Sequence, residues 1–218
     1  ARELVLEDIK TLEDSPTRLL SKMFAETLFE GHPYGLPGVG FEKTVQSFTP
    51  ADLAAHFKKC TEENRIVVSV SGKFNVEKMC ARFEAVKRKP AKIQSFELPF
   101  QPPLAPRLAE VKKDREQSHI IVGFLGTRIS DPRRYALKVL LNVMGGQSGR
   151  LFTEIRDKQG LCYTVAPICM EGIEPGYIGI YIGCDPGKRE QSIKSIHHEL
   201  KRLADKPITA AELTRAKE

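Results

Sequence analysis

Five prolines fall between residues 87 and 107, at Pro90, Pro99, Pro102, Pro103 and Pro106. Each fixes its own φ and removes a backbone donor, so neither a regular helix nor a central strand can run through the stretch. The apolar periodicity seen on either side dissolves here, and the charge is mostly positive. A chain of 218 residues interrupted in this way reads as two units joined by an extended connection. The expected division is residues 1–86, a linker at 87–107, and residues 108–218.

Ahead of the linker, Val5, Ile9 and Leu12 recur at helical spacing within residues 1–14. Ser15-Pro16 restarts the chain with a cap residue and a proline at the first helical position. The helix that follows runs through Leu20, Phe24 and Leu28 to Gly31, and His32–Gly40 is a breaker-rich loop. Thr49-Pro50-Ala51-Asp52 opens as a capping box, for a helix that should bury Leu53 and Phe57. Arg65–Ser71 is β-branched and ends at Gly72, which predicts a strand. Asn75 then caps a helix whose Val76, Met79, Cys80 and Phe83 form a stripe expected in the core.

Beyond the linker, Leu108–Lys112 and Ser118–Leu125 read as strands, and Asp131-Pro132 opens a helix carrying Tyr135, Val139, Leu140 and Val143. Tyr177–Cys184 is a strand with glycines on one face, where something can pack closely. Lys188–Ala204 is a helix with Ile193, Ile196, Leu200 and Leu203 inward, and Thr209–Glu212 is a second capping box. The pattern predicts an α+β fold with mixed or antiparallel sheets and helices packed on one face.

Several function classes drop out on composition. The net charge of +6 is spread without an arginine-rich arm, so no nucleic-acid partner is expected. No apolar run is long enough to span a bilayer, and no signal-peptide pattern stands at Ala1. The compartment stays open between cytoplasm and periplasm. The chain opens directly in a charged helix, as a piece of a longer protein would. Its five cysteines form no Cys-x-x-Cys pair, which argues against structural zinc and for free buried thiols. His197-His198-Glu199 cannot converge on one ion, because neighbours on a helix point about 100° apart. That triplet is assigned to a solvated face.

One stretch carries chemistry. In Gly145–Tyr163 the glycines permit a tight turn, Ser148 can cap a helix, and Leu151, Phe152 and Ile155 give it an apolar stripe. Gly160 ends that helix, and Tyr163–Met170 begins a strand. Arg156 and Tyr163 thus come from adjacent elements, where a guanidinium and a phenol can both donate to a peptide carbonyl and stabilise an oxyanion formed from it. The plain alternative leaves Arg156 facing solvent or an acidic neighbour and Tyr163 filling a sheet edge.

Gly145-Gly146, Ser148-Gly149-Arg150-Leu151-Phe152, Ile155-Arg156 and Gly160-Leu161-Cys162-Tyr163 together resemble the pitrilysin/insulinase family of zinc metallopeptidases with an inverted zinc motif. Arg2–Ile9, Asp14-Ser15-Pro16, His32-Pro33-Tyr34-Gly35, Thr49–Leu53 and Asn64 match in the same register, so the resemblance covers essentially the whole chain. It implies two similar α+β domains, the first truncated, and gives Arg156 and Tyr163 the role of the family's substrate-binding pair. It also implies a peptide substrate and zinc bound by the full enzyme or its partner half. The His-x-x-Glu-His helix is missing from these residues. The family's third zinc ligand falls at Asp8, or at Glu7 if the register shifts by one. The chain alone is therefore expected to be an inactive segment that supplies chamber wall and clamp; a structural scaffold with no proteolytic role is the alternative. An unpaired edge on the 65–71 strand would favour homodimers.

Overall fold

The computed structural model describes residues 1–62, 68–84 and 100–217. Its contacts divide the chain into two units, one of Ala1–Leu6 with Gly40–Pro99 and one of Glu7–Val39 with Phe100–Glu218.

Helices are the regular elements of the first unit among its described residues. It holds α3 (Glu42–Ser47), α4 (Pro50–Glu62) and α5 (Val76–Glu84), and α1 (Arg2–Asp14) begins in it. Local chemistry sets these helices as expected. The Thr49 hydroxyl and N–H donate to Asp52 Oδ2 at 2.7 and 2.8 Å, and the Asp52 N–H donates back to Thr49 Oγ1 at 3.2 Å. The Lys78 N–H donates to Asn75 Oδ1 at 2.8 Å, so Asn75 is the cap of α5.

The faces of these helices depart from expectation. Phe57 is 69% exposed and Val76 63%, and Leu53, Cys80 and Phe83 are exposed with them. The strand expected at 65–71 also fails where it can be seen. Arg65–Val67 lie outside the described residues, and Val68–Ser71 belong to no strand. Both corrections have one cause: this unit has no sheet among its described residues to cover a helix face or pair a strand.

The second unit is built on a three-stranded antiparallel sheet in the order β1-β3-β2, from β1 (Ser118–Leu125), β2 (Cys162–Met170) and β3 (Tyr177–Cys184). Against one face lie α6 (Arg134–Met144), a π-helix at Phe152–Lys158, and α7 (Arg189–Asp205). Leu151, Ile155 and Ile196 pack there on Val165, Ile180 and Ile182. Ile155, Ile182 and Ile196 are wholly inaccessible, each burial stabilising by about 1.5–3 kcal/mol.

Helices are not confined to that face. The Phe24 ring of α2 (Pro16–Leu28) occupies the space a Cβ on Gly123 would need, 2.3 Å away. The same ring meets Tyr177 edge-on with centroids 5.0 Å apart. Gly123 and Tyr177 point opposite to Ile180, so α2 covers the second face at the β1 end. Glycine on that face is what lets the aromatic ring approach.

Leu108–Lys112 is not a strand. Leu108 is exposed, and the segment is held by Glu110, whose carboxylate accepts from Arg189 of α7 at 2.6 and 2.8 Å. Among the described residues no helix is long and apolar enough to cross a membrane.

Candidate functional site

The Gly145–Tyr163 stretch begins with a backbone that only glycine accommodates. Gly146 has φ +72°, and a Cβ on Gly149 would lie 2.0 Å from the Gly145 carbonyl oxygen. The chain therefore turns tightly and enters helix at Arg150. Ser148 makes no side-chain cap among the described residues; the close-packed glycines replace the cap expected there.

From Phe152 to Lys158 the helix widens into a π-helix, a rare form that occurs frequently at functional sites. Ile155 points into the core and Arg156 out to solvent. The Arg156 guanidinium rests over the Phe152 ring, 4.4 Å from its centroid, a cation–π contact that holds an exposed side chain in place. The Gly160 N–H donates to the Arg156 carbonyl at 3.0 Å, with Gly160 at φ +59°. This is the left-handed glycine stop that the residues predict.

Tyr163 also sits on irregular backbone. Cys162 pairs with Cys184 and Thr164 with Gly183, so two steps along β2 match one along β3 and Tyr163 is the extra residue of a bulge. Bulges re-aim side chains and break the in–out alternation; here Tyr163 and Thr164 are both exposed, Tyr163 at 63%. Arg156 lies close enough to Cys162, Tyr163's neighbour, for its charge to be felt there. No hydrogen bond joins Arg156 to Tyr163, and neither side chain is engaged in one with another described residue. Both donors face solvent.

Behind this pair the π-helix and its glycine stop are braced by α7 and by Lys188 just before it. Ser195 Oγ donates to Gln159 Oε1 at 3.0 Å, Lys188 Nζ donates to the Gly160 carbonyl at 2.8 Å, and Arg202 Nη1 lies 3.4 Å from Glu154. Lys158, donating to Glu154 at 3.0 Å, is the main reason the Glu154 carboxyl is held below its ordinary range, and Arg202 adds to it. Arg150 forks onto Glu212 of α8 (Ala210–Lys217) at 2.6 and 2.9 Å. That pair, together with the Thr209 capping box, lowers the Glu212 pKa to about 2.

Sequence reasoning missed this bracing. It placed His197-His198-Glu199 on a solvated face, and only the two histidines are there. Glu199 is 2% exposed, its Oε1 accepting from Arg202 at 3.0 Å while its Oε2 has no hydrogen-bond partner among the described residues. The available signal was the i, i+3 pairing of Glu199 with Arg202 beside the inward Ile196.

The residues present do not fit a zinc site. Asp8 and Glu7 are exposed on α1, and among the described residues no three His, Cys, Asp or Glu side chains gather where they could hold a metal ion. The histidine chemistry is spent elsewhere: His32 Nδ1 accepts from the Tyr34 N–H at 3.2 Å, and His119 Nδ1 lies 2.8 Å from the Tyr181 hydroxyl. Burial lowers the His119 pKa.

Residues 47–218 match the family described as the peptidase M16 inactive domain. The chain belongs to that family. The pitrilysin/insulinase resemblance read from the motifs is therefore correct. An uncharacterized zinc protease of Streptomyces coelicolor is 30% identical to this M16 chain over 227 residues, covering 99% of the chain and 49% of the relative. Among solved structures, a protease from Helicobacter pylori superposes with a TM-score of 0.87 at 24% identity, covering 99% of the M16 chain and 55% of its own. A peptidase M16 inactive domain from Pseudomonas fluorescens gives 0.86 at 22% identity, with coverage of 99% and 53%. These likenesses show the same fold. The M16 chain spans about half the length of the curated relatives it matches.

Proposed function

We propose that this chain forms the non-catalytic part of an M16 zinc peptidase and that Arg156 and Tyr163 hold a backbone carbonyl of the peptide substrate. The observation that carries the reading is that both donors are exposed and unspent on irregular backbone, one on a π-helix and one at a bulge. Donors of this kind can bind a developing oxyanion without first breaking a protein hydrogen bond. The zinc, its histidines and the general-base glutamate belong to another half of the protein or a partner subunit. Residues 1–86 would be the end of one peptidase-like domain, 87–107 the linker and 108–218 most of a second, together forming chamber wall.

The test is made in the full-length protein with its catalytic half. Arg156→Ala and Tyr163→Phe each lower kcat by roughly a hundredfold while KM changes little. Unchanged kcat in both variants removes the clamp. A full-length protein and partner that cleave no peptide, with both residues dispensable, favour the scaffold reading. Self-association through residues 65–71 is a separate expectation, motivated by the exposed Val68 and Val70; a monomer by sedimentation velocity at high concentration discards it.

A further inference from the structure

The five cysteines divide sharply. Cys60, Cys80 and Cys169 are exposed, Cys162 is half-buried and Cys184 is wholly buried. The burial expected for all of them holds for the last two, and those two face each other. Cys162 of β2 is the direct partner of Cys184 of β3. Opposite residues of an antiparallel pair project to the same face; Cys162 packs against the apolar core there, and Cys184 is wholly inaccessible. The Cys184 sulfur is near enough for its charge to bear on Cys162.

We propose that Cys162 and Cys184 are a redox modification site, closing into a reversible cross-strand disulfide when a small-molecule disulfide oxidises the folded protein. Opposite residues in an antiparallel ladder stand about 4.5 or 5.5 Å apart at Cα, and both spacings lie within the range of roughly 4.4–6.8 Å that a disulfide spans. At Cβ such partners stand about 4.5–5.5 Å apart, against roughly 3.5–4.5 Å in a disulfide, so closing the bond draws the two strands together by up to about an ångström. The bulge that begins at Cys162 adds local freedom for the sulfurs to align.

The chemistry runs in two exchanges. The Cys162 thiolate, the more accessible of the two, attacks one sulfur of the oxidant and releases its other half as a thiol. The Cys184 thiolate then displaces the remaining half from Cys162 as a second thiol. The protein loses two thiol protons and two electrons, which reduce the small disulfide to two thiols. Only the first exchange needs access from solvent, so the complete burial of Cys184 does not block the second. Burial raises the Cys162 pKa to about 11, which makes the first exchange slow at neutral pH and keeps the pair reduced under weak oxidant. Once formed, the bond ties β2 to β3 at the residue preceding Tyr163, and so fixes one flank of the bulge that presents the phenol.

The folded chain is incubated with oxidised glutathione, quenched in acid, unfolded, alkylated and digested. The expected result is a peptide pair joining Cys162 to Cys184 that dithiothreitol separates, with Cys60, Cys80 and Cys169 alkylated or carrying glutathione. A Cys184→Ala variant should stop at a persistent glutathione adduct on Cys162. Alkylation of both Cys162 and Cys184 in the oxidised wild type, or a stable adduct on Cys162 that never resolves, overturns the site. If Cys184→Ala does not fold, the wild-type map still decides. The outcome is independent of whether Arg156 and Tyr163 bind peptide.

Discussion

α4 in the first unit and α7 in the second carry the same kind of message in their sequence, an apolar stripe at helical spacing, and only one of them is buried. On α7, Ile196 is inaccessible against the sheet. On α4, Leu53 and Phe57 are 61% and 69% exposed. The comparison separates two things that periodicity runs together. A stripe states which face of a helix gains by leaving water, about 25 cal/mol per Å² of apolar surface. It does not state that a surface is there to receive it. In the second unit three strands supply that surface; in the first, none of the described residues does.

The largest effect that this contrast predicts is in the sheet-backed core. Ile155→Ala removes an inaccessible side chain from the buried face of the π-helix and should cost about 2–5 kcal/mol, read as a lower midpoint in urea unfolding. A cost below 1 kcal/mol would mean that the core is as loosely covered as the face of α4, and the distinction between the two units would fail.

Next comes a pair of matched caps. Thr49–Asp52 and Thr209–Glu212 make the same three hydrogen bonds at nearly the same distances. The second alone adds Arg150, whose side chain is 10% exposed beside Glu212 at 15%. Folding lowers the Glu212 pKa from its ordinary 4.5 to about 2, and the Arg150 hydrogen bonds are the foremost cause. Its contribution is therefore whole above about pH 4.5 and is lost as pH falls through about 2. Glu212→Gln should cost on the order of 2–3 kcal/mol at pH 7 and flatten the loss of stability between pH 4.5 and 2. Thermal unfolding at a series of pH values checks this. Asp52→Asn, in the exposed copy of the box, should move the midpoint far less; equal shifts from the two would show that Arg150 adds nothing.

How much of this was legible follows from the range of each signal. Caps and stops act within a turn of chain, and Thr49, Asn75, Thr209 and Gly160 stand where their chemistry predicts. The backbone positions of Arg156, near a helix end, and of Tyr163, at a strand start, were legible because the glycine and β-branched signals that mark them act locally. The π-helix and the bulge that display them were not, since their partners on α7 and β3 lie far along the chain. Gln159 reaches Ser195 and Cys162 reaches Cys184 across the fold, and no local window contains both partners. Glu199 was misplaced for a different reason: its partner Arg202 is only three residues on and so was within local reach, but charge alone was taken to mean solvent.

The smallest expected effect is the most exacting for the comparison. Phe57→Ala deletes a large aromatic side chain from a helix stripe, a change that costs about 3–5 kcal/mol in a packed core. Here the ring is 69% exposed, so little of its area leaves water on folding and the loss should stay within about 0.5 kcal/mol. Alanine is also the better helix former, by a few tenths of a kcal/mol, so the sign can favour the variant. The measurement is the urea midpoint of the isolated chain, set beside the same substitution in the full-length protein. A cost near zero in the first and several kcal/mol in the second would show that the stripe has a receiving surface outside these residues. A large cost in the isolated chain would show that α4 is already covered, and the rule drawn from α4 and α7 would have to be abandoned.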